Sequence, residues 1–222
     1  MRRKIGVDDM ELGTFVDKYK HARYGFFDWR CDLNMAQKIA LSVAFACLTG
    51  LMAQIRFFLP FTPVPITGQV FVVLLAGILL GKRYGGLSQI FYAGIGVAGV
   101  PWFAGAASGI GYLTGVTGGY IVGFIITAFV IGEFTDRYVA SRSLIPQMLL
   151  MTTGIGIIYA LGSLQLALVL DLSLSEAILM GALPFVPVDI VKAFAAAAVA
   201  YGILPKTAYN EEIDAERYPG SF

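Results

Sequence analysis

Leu183 to Leu204 reads LPFVPVDIVKAFAAAAVAYGIL, an apolar stretch with two prolines near its start, one acid and one base. From Pro187 to Leu204 is 18 residues, which in a helix is about 27 Å, the thickness of a bilayer's hydrocarbon. The stretch predicts a membrane-spanning helix. Pro187 suits the first helical position, where a missing N–H costs nothing, and Asp189 then sits in the first turn against the positive end of the helix dipole. Lys192 follows three residues later, so both side chains share a face. That face is expected to look into the bundle, because exposing a charge to lipid costs about 2.5 kcal/mol or more. Two readings stand side by side. The pair forms the polar end of a ligand site, or Asp189 only matches the dipole and neutralises a Lys192 that snorkels to the interface.

Composition supports the membrane. Of 222 residues 57% are hydrophobic and 14% charged, against roughly 25% charged in an ordinary soluble domain. A net charge of +1 argues against a nucleic-acid partner, which needs a clustered basic surface. Cys31 and Cys47 show no ligand spacing and His21 stands alone, so neither a disulfide framework nor a metal site is expected. Residues 1–34 mix Arg2, Arg3, Lys4, Lys18, Lys20, Arg23 and Arg30 with acids. They lack the apolar core of a cleavable signal, and read as a charged tail or a surface-lying helix. The domain boundaries that follow are this N-terminal extension, a membrane domain over 35–205 and a polar, solvated tail over 206–222.

Five further spans precede the sixth. The first runs from about Met35 to Phe58, with Ala36, Ala40 and Ala44 forming a smooth ridge that allows close approach by another helix, of this chain or of a partner. LPFTPVPITGQ, 59–69, holds three prolines and predicts a stiff, extended loop. A short span over 70–80 ends at Gly81, Lys82 and Arg83; GILLGKR there has the wrong spacing and lacks the Ser or Thr of a phosphate loop. A third span covers 84–100. PWFAGAASGIGYLTGVTGGY, 101–120, interleaves glycines with Trp102, Phe103, Tyr112 and Tyr120. Such a segment either packs helices tightly or lines a ligand with an aromatic wall. Spans four and five follow at about 118–134 and 146–170, the latter with Tyr159 and Gln165 as its main polar groups; the DLSLSE loop leads to the sixth.

Lys and Arg concentrate in the N-terminal tail, at Lys82 and Arg83, at Arg137 and Arg142 and after the last span. The positive-inside rule then predicts an all-α six-helix bundle with both termini cytoplasmic. The proline loop, the glycine-aromatic segment and the start of the sixth span all fall on the outer side, above Asp189 and Lys192. An outward pocket of that make-up suits a small flat ligand with N–H donors and a carboxylate.

PFTPVPITGQ at 60–69, PWFAGAASGIGYLTGVTGGY at 101–120 and PVDIVKA at 187–193 together resemble the signature segments of the BioY family, the biotin-specific S components of energy-coupling-factor transporters. The resemblance covers about residues 36–204. It implies a bundle that captures biotin outside the cell membrane and performs no chemistry on it, with a transmembrane coupling subunit and two ATP-binding subunits as partners. No cofactor is expected; biotin is cargo and ATP is used by the partners. The resemblance implies that Asp189 and Lys192 hold the vitamin, that Phe103, Gly105 and Tyr112 with Gly118, Gly119 and Tyr120 form its wall, and that Thr67 and Gln69 are placed by a lid. It assigns the ridge of Ala36, Ala40 and Ala44 to the coupling subunit. Val116 and Val188 depart from the family's usual proline and glycine. Rival readings are a carrier for another small carboxylate and a membrane-embedded transferase using Asp189 as base, the latter poorly supplied with acid–base partners in the outer loops.

Overall fold

The computed structural model describes residues 7–208 and 212–218; Arg2, Arg3, Lys4 and Glu211 of the charged ends lie outside them. Among the described residues the regular structure is helical apart from one two-stranded hairpin. Five stretches are long and apolar enough to cross a membrane: α2 (Met35–Gln54), α3 (Gln69–Val97), α5 (Gly118–Arg137), α6 (Leu144–Leu170) and the run Leu174–Ile203. That last run contains α7 (Leu174–Gly181) and α8 (Val186–Ile203). The expected all-α membrane bundle is present. Its second and third spans, read as separate, are one helical run, α3, interrupted at Gly81.

Gly81 has φ 75° and ψ −175°, a region essentially reserved for glycine. The chain folds back there. Gln69 Nε2 donates to Tyr92 Oη at 2.7 Å, although 23 residues of straight helix would hold them about 35 Å apart. Gly85 lies against the backbone of Ala76 and Gly77 for the same reason. A methyl group on Gly81 would run into the carboxylate of Asp136, which is already held by Arg30 at 2.7 Å and by the Lys82 N–H at 3.2 Å. Gly81→Ala is therefore expected to cost about 1–3 kcal/mol from backbone conformation alone, with Asp136 displaced in addition. Thermal unfolding of the solubilised variant against the parent measures it.

The charged segment is helical as α1 (Val7–Asp32) and lies across one end of the bundle. Arg23 donates to Tyr201 O at 3.0 Å and also to Leu204 O, and Tyr19 Oη donates to Gly202 O. These donors satisfy carbonyls at the C-terminus of α8 that have no helical partner. Arg30 reaches Asp136 in the last turn of α5. The fold-back of α3 and the ends of α5 and α8 thus gather at one end.

Asn34 opens α2 with a capping box to Gln37, each side chain satisfying the other residue's orphan N–H. The helix stops at Gln54, short of the expected Phe58. Ile55 turns extended, and Arg56–Phe57 (β1) pairs antiparallel with Ile66–Thr67 (β2). The Gly68 N–H, at 3.2 Å from both Met52 O and Ile55 O, serves the helix end in place of another turn. The proline loop is therefore the tip of a hairpin. DLSLSE, read as a loop, instead starts α7, where Ser173 and Glu176 form a second capping box.

The C-terminal tail, expected to be solvated, corrects that expectation. Glu212 is buried and pairs at 2.5 Å with Arg142, which is wholly buried. Asp214 accepts the Val139 and Ala140 N–H groups at 2.8 and 2.9 Å. The reason is electrostatic: an arginine buried between α5 and α6 needs a counter-charge, and the tail brings it. In the bundle itself α3 packs between α2 and α5, while α8 buries Ala193, Ala196, Ala197 and Ala200 on one face.

Candidate functional site

At the end opposite α1, the β1–β2 hairpin, the starts of α5 and α8 and the middle of α6 enclose a cavity of about 60 Å³. Its polar end is built on the first two turns of α8. Val186 starts that helix and Pro187, expected at its first position, takes the second, with Asp189 and Lys192 one turn apart on the face that meets the cavity. Asp189 is only 3% exposed. Its Oδ1 accepts from Lys192 Nζ at 2.6 Å and its Oδ2 from Tyr159 Oη at 2.7 Å. Lys192 Nζ also donates to Thr67 O at 2.7 Å, so one ammonium ties α8 to the hairpin. Neither charged group points to lipid or bulk water. Each is satisfied by protein, as buried ionic groups must be.

The wall is aromatic and aliphatic, with Tyr112, Tyr120, Phe124, Ile158 and Phe185 lining it. Tyr120 Oη donates to Gly181 O at 2.7 Å, which leaves its ring as the lining surface. Thr67 and Gln69 line the hairpin side, and Thr67 Oγ1 donates to Gln69 Oε1 at 2.9 Å. With Gln69 held by Tyr92 as well, the base of the hairpin is anchored to both halves of α3.

Six of the ten residues read from the sequence as ligand-binding therefore meet at the cavity: Asp189, Lys192, Thr67, Gln69, Tyr112 and Tyr120. The other four do not line it. Phe103 is fully buried behind Tyr112, stacked on it with centroids 4.7 Å apart, and so supports the wall without facing the cavity. Gly105, at φ 86°, lies beneath the Arg56 guanidinium. Gly118 and Gly119 press against the carbonyls of Leu113 and Leu161, which makes them close-approach glycines between α5 and its neighbours.

In the sequence Tyr159 stands out only as a polar group within an apolar span. A phenol in such a span needs an acceptor, and that requirement was the available signal. Phe124 and Phe185 carry no such signal, being indistinguishable by pattern from other core aromatics. Ala36, Ala40 and Ala44 are exposed along α2, whose opposite face, with Ser42, Ala46, Thr49, Gly50 and Ala53, is buried.

At about 60 Å³ the cavity is well below the roughly 300 Å³ or more of ordinary ligand pockets. The Lys192 bond to Thr67 O at 2.7 Å is the polar contact that ties α8 to the hairpin over this cavity.

Apolar helices closing over a small cavity with one ion pair at its end define a multi-pass helical membrane protein. Comparison with known proteins gives that class a family. The chain belongs to the BioY family, whose model matches residues 21–208. The match starts inside the segment set apart as an N-terminal extension. The chain is 44% identical to the probable biotin transporter BioY of Methanothermobacter thermautotrophicus, over 66% of this chain and 98% of that one. It is 40% identical to the probable biotin transporter BioY of Pyrococcus horikoshii, over 74% and 94%. Its fold matches the crystal structure of the S-component for biotin from an ECF-type ABC transporter with a TM-score of 0.71 at 22% identity, over 81% of this chain and 97% of that one.

Proposed function

We propose that this chain is the substrate-binding component of a biotin uptake system in the cell membrane. Biotin enters beneath the β1–β2 hairpin and is held at the Asp189–Lys192–Tyr159 cluster. The observation that carries the reading is that cluster: a carboxylate that accepts N–H bonds and an ammonium that pairs with a carboxylate, set 2.6 Å apart at the end of an apolar, aromatic-walled cavity in a BioY-family chain. Biotin's ureido N–H groups and valerate carboxylate are complementary to those two charges. The protein does no chemistry on the vitamin. Transport is driven by a transmembrane coupling subunit and two ATP-binding subunits, with the exposed ridge of Ala36, Ala40 and Ala44 as the surface for the coupling subunit.

The same reading takes the fold-back at Gly81 as a turn on the inner side, so that α3 crosses the bilayer twice and the bundle crosses it six times, with both termini cytoplasmic. Its support is the gathering of Lys82, Arg83, Arg137, Arg142 and Lys206 at the end covered by α1, in keeping with the positive-inside rule. Residues 1–34 act in this scheme as a charged inner extension to a membrane domain over 35–205. Residues 206–222 follow as a tail.

Biotin retained by the purified, detergent-solubilised chain, and displaced by unlabelled biotin but not by other small carboxylates, is the expected result. Indifference to biotin overturns the proposal. Tyr159→Phe removes one hydrogen bond to Asp189 and is expected to weaken retention by about 1 kcal/mol, roughly fivefold. Equilibrium binding of labelled biotin to both proteins measures that loss.

A further inference from the structure

We infer that the end of the bundle covered by α1 carries a binding site for an anionic phospholipid, separate from the solute cavity. Two adjoining cavities share Arg83 and Tyr84, and their chemistry divides as a lipid's does.

The first, about 510 Å³, lies between α1, the start of α2, the fold-back of α3 and the end of α5. Five basic side chains line it against two acidic ones. Asp136 is engaged by Arg30, and Glu133 by both Lys82 and Arg137 at 2.7 and 2.9 Å. Lys38 and Arg83 form no ion pair among the described residues. Lys38 Nζ donates to the backbone Cys31 O at 2.8 Å, and Arg83 is exposed. The cleft therefore holds a positive excess that the described residues do not neutralise, at the end of the bundle where α2 begins and α5 ends.

The second cavity, about 550 Å³, runs from Arg83 along the outside of the bundle between the second half of α3 and α5. Its floor is apolar: Leu87 and Ile90 from α3, and Ile125, Ile126 and Phe129 from α5. Ile90, Ile126 and Phe129 are 41–49% exposed. From Arg83 to Ile90 the groove is about 10 Å long, enough for several methylenes of an acyl chain. It faces the bilayer, so hydrocarbon is the medium that fills it. What the adjoining cleft adds is a choice of headgroup. A phosphodiester without a compensating ammonium gains the full attraction of Lys38 and Arg83, whereas the choline of a zwitterionic lipid meets the positive excess of the same cleft.

The test is native mass spectrometry of the full chain, released from detergent after incubation with equal amounts of phosphatidylglycerol and phosphatidylcholine bearing the same acyl chains. Phosphatidylglycerol is expected to be retained at least fivefold over phosphatidylcholine. The double variant Lys38→Ala with Arg83→Ala is expected to bring that ratio to about one, while Lys38→Arg with Arg83→Lys preserves it; unchanged thermal unfolding checks that both variants fold. Equal retention of the two lipids by the parent overturns the inference. So does loss of bound phosphatidylglycerol to excess glycerol phosphate, which would make the cleft a site for soluble phosphates. An alanine variant that folds and keeps the preference overturns it as well.

Discussion

Asp189→Asn and Lys192→Ala are each expected to weaken biotin retention at least tenfold, about 1.4 kcal/mol. The two substitutions act by different routes. Asparagine keeps the shape of the aspartate and can still accept from Tyr159, but it replaces a charged acceptor of two oxygens with one neutral oxygen. N–H donors of the guest then lose a charge-assisted bond, the stronger kind. In the proposed site Lys192→Ala removes the cation offered to the guest; it also removes the bond to Thr67 O at 2.7 Å, so the hairpin loses its polar tie to α8. Comparing biotin with its methyl ester separates the two roles: the residue that meets the valerate carboxylate is the one whose loss no longer matters for the ester. Equilibrium binding by the solubilised proteins is the measurement. If both variants fold and bind like the parent, the pair serves only to neutralise itself within α8.

The second large effect concerns the fold. Glu212→Ala is expected to destabilise the protein by about 3–5 kcal/mol, because it leaves the guanidinium of Arg142 buried without its carboxylate. Arg142 is 0% exposed, and its other acceptors include the carbonyls of Thr135 at 3.0 Å and Thr207 at 3.2 Å. For a chain of this length a fall in Tm of about 10 °C follows, read by thermal unfolding in detergent. The double variant Arg142→Met with Glu212→Leu is expected to recover much of that loss, since an apolar pair of similar volume avoids the desolvation penalty. The neighbourhood is strained by like charge as well. Burial, with Arg23 and Arg142 nearby, lowers the Lys206 ammonium to about 8. At Asp214 burial acts to raise the carboxyl, but the Ala140 and Val139 N–H donors outweigh it and hold it below its ordinary value.

Much of this architecture is legible residue by residue. A run of apolar side chains long enough to cross a bilayer excludes most other fates for its segment, which is why the spans near 35–54, 118–137, 144–170 and 186–203 are readable from composition and length. Gly81 with Lys82 and Arg83 marks a turn within an apolar run. Asp189 and Lys192 stand out because charge is rare and costly there. The ambiguity lies in the glycines and aromatics. A glycine that lets a ligand approach and one that lets a helix approach look alike in sequence, so the sequence does not show that Gly118 and Gly119 serve helix packing. Nor does the sequence separate a lining aromatic from one such as Phe103, which backs Tyr112.

The sequence by itself determined that this is a multi-helix membrane protein with one acid and one base held together at the mouth of its last span. Those are local properties: hydropathy, helix rise and a spacing of three residues settle them within a single segment. The tertiary structure alone decided that Tyr159 meets Asp189 and that Lys192 fastens the hairpin. It also decided that Glu212 returns to neutralise Arg142. Each of these contacts joins groups 30 to 125 residues apart. Their partners are chosen by how the helices pack and by the cost of leaving a buried polar group unpaired, which no single segment specifies.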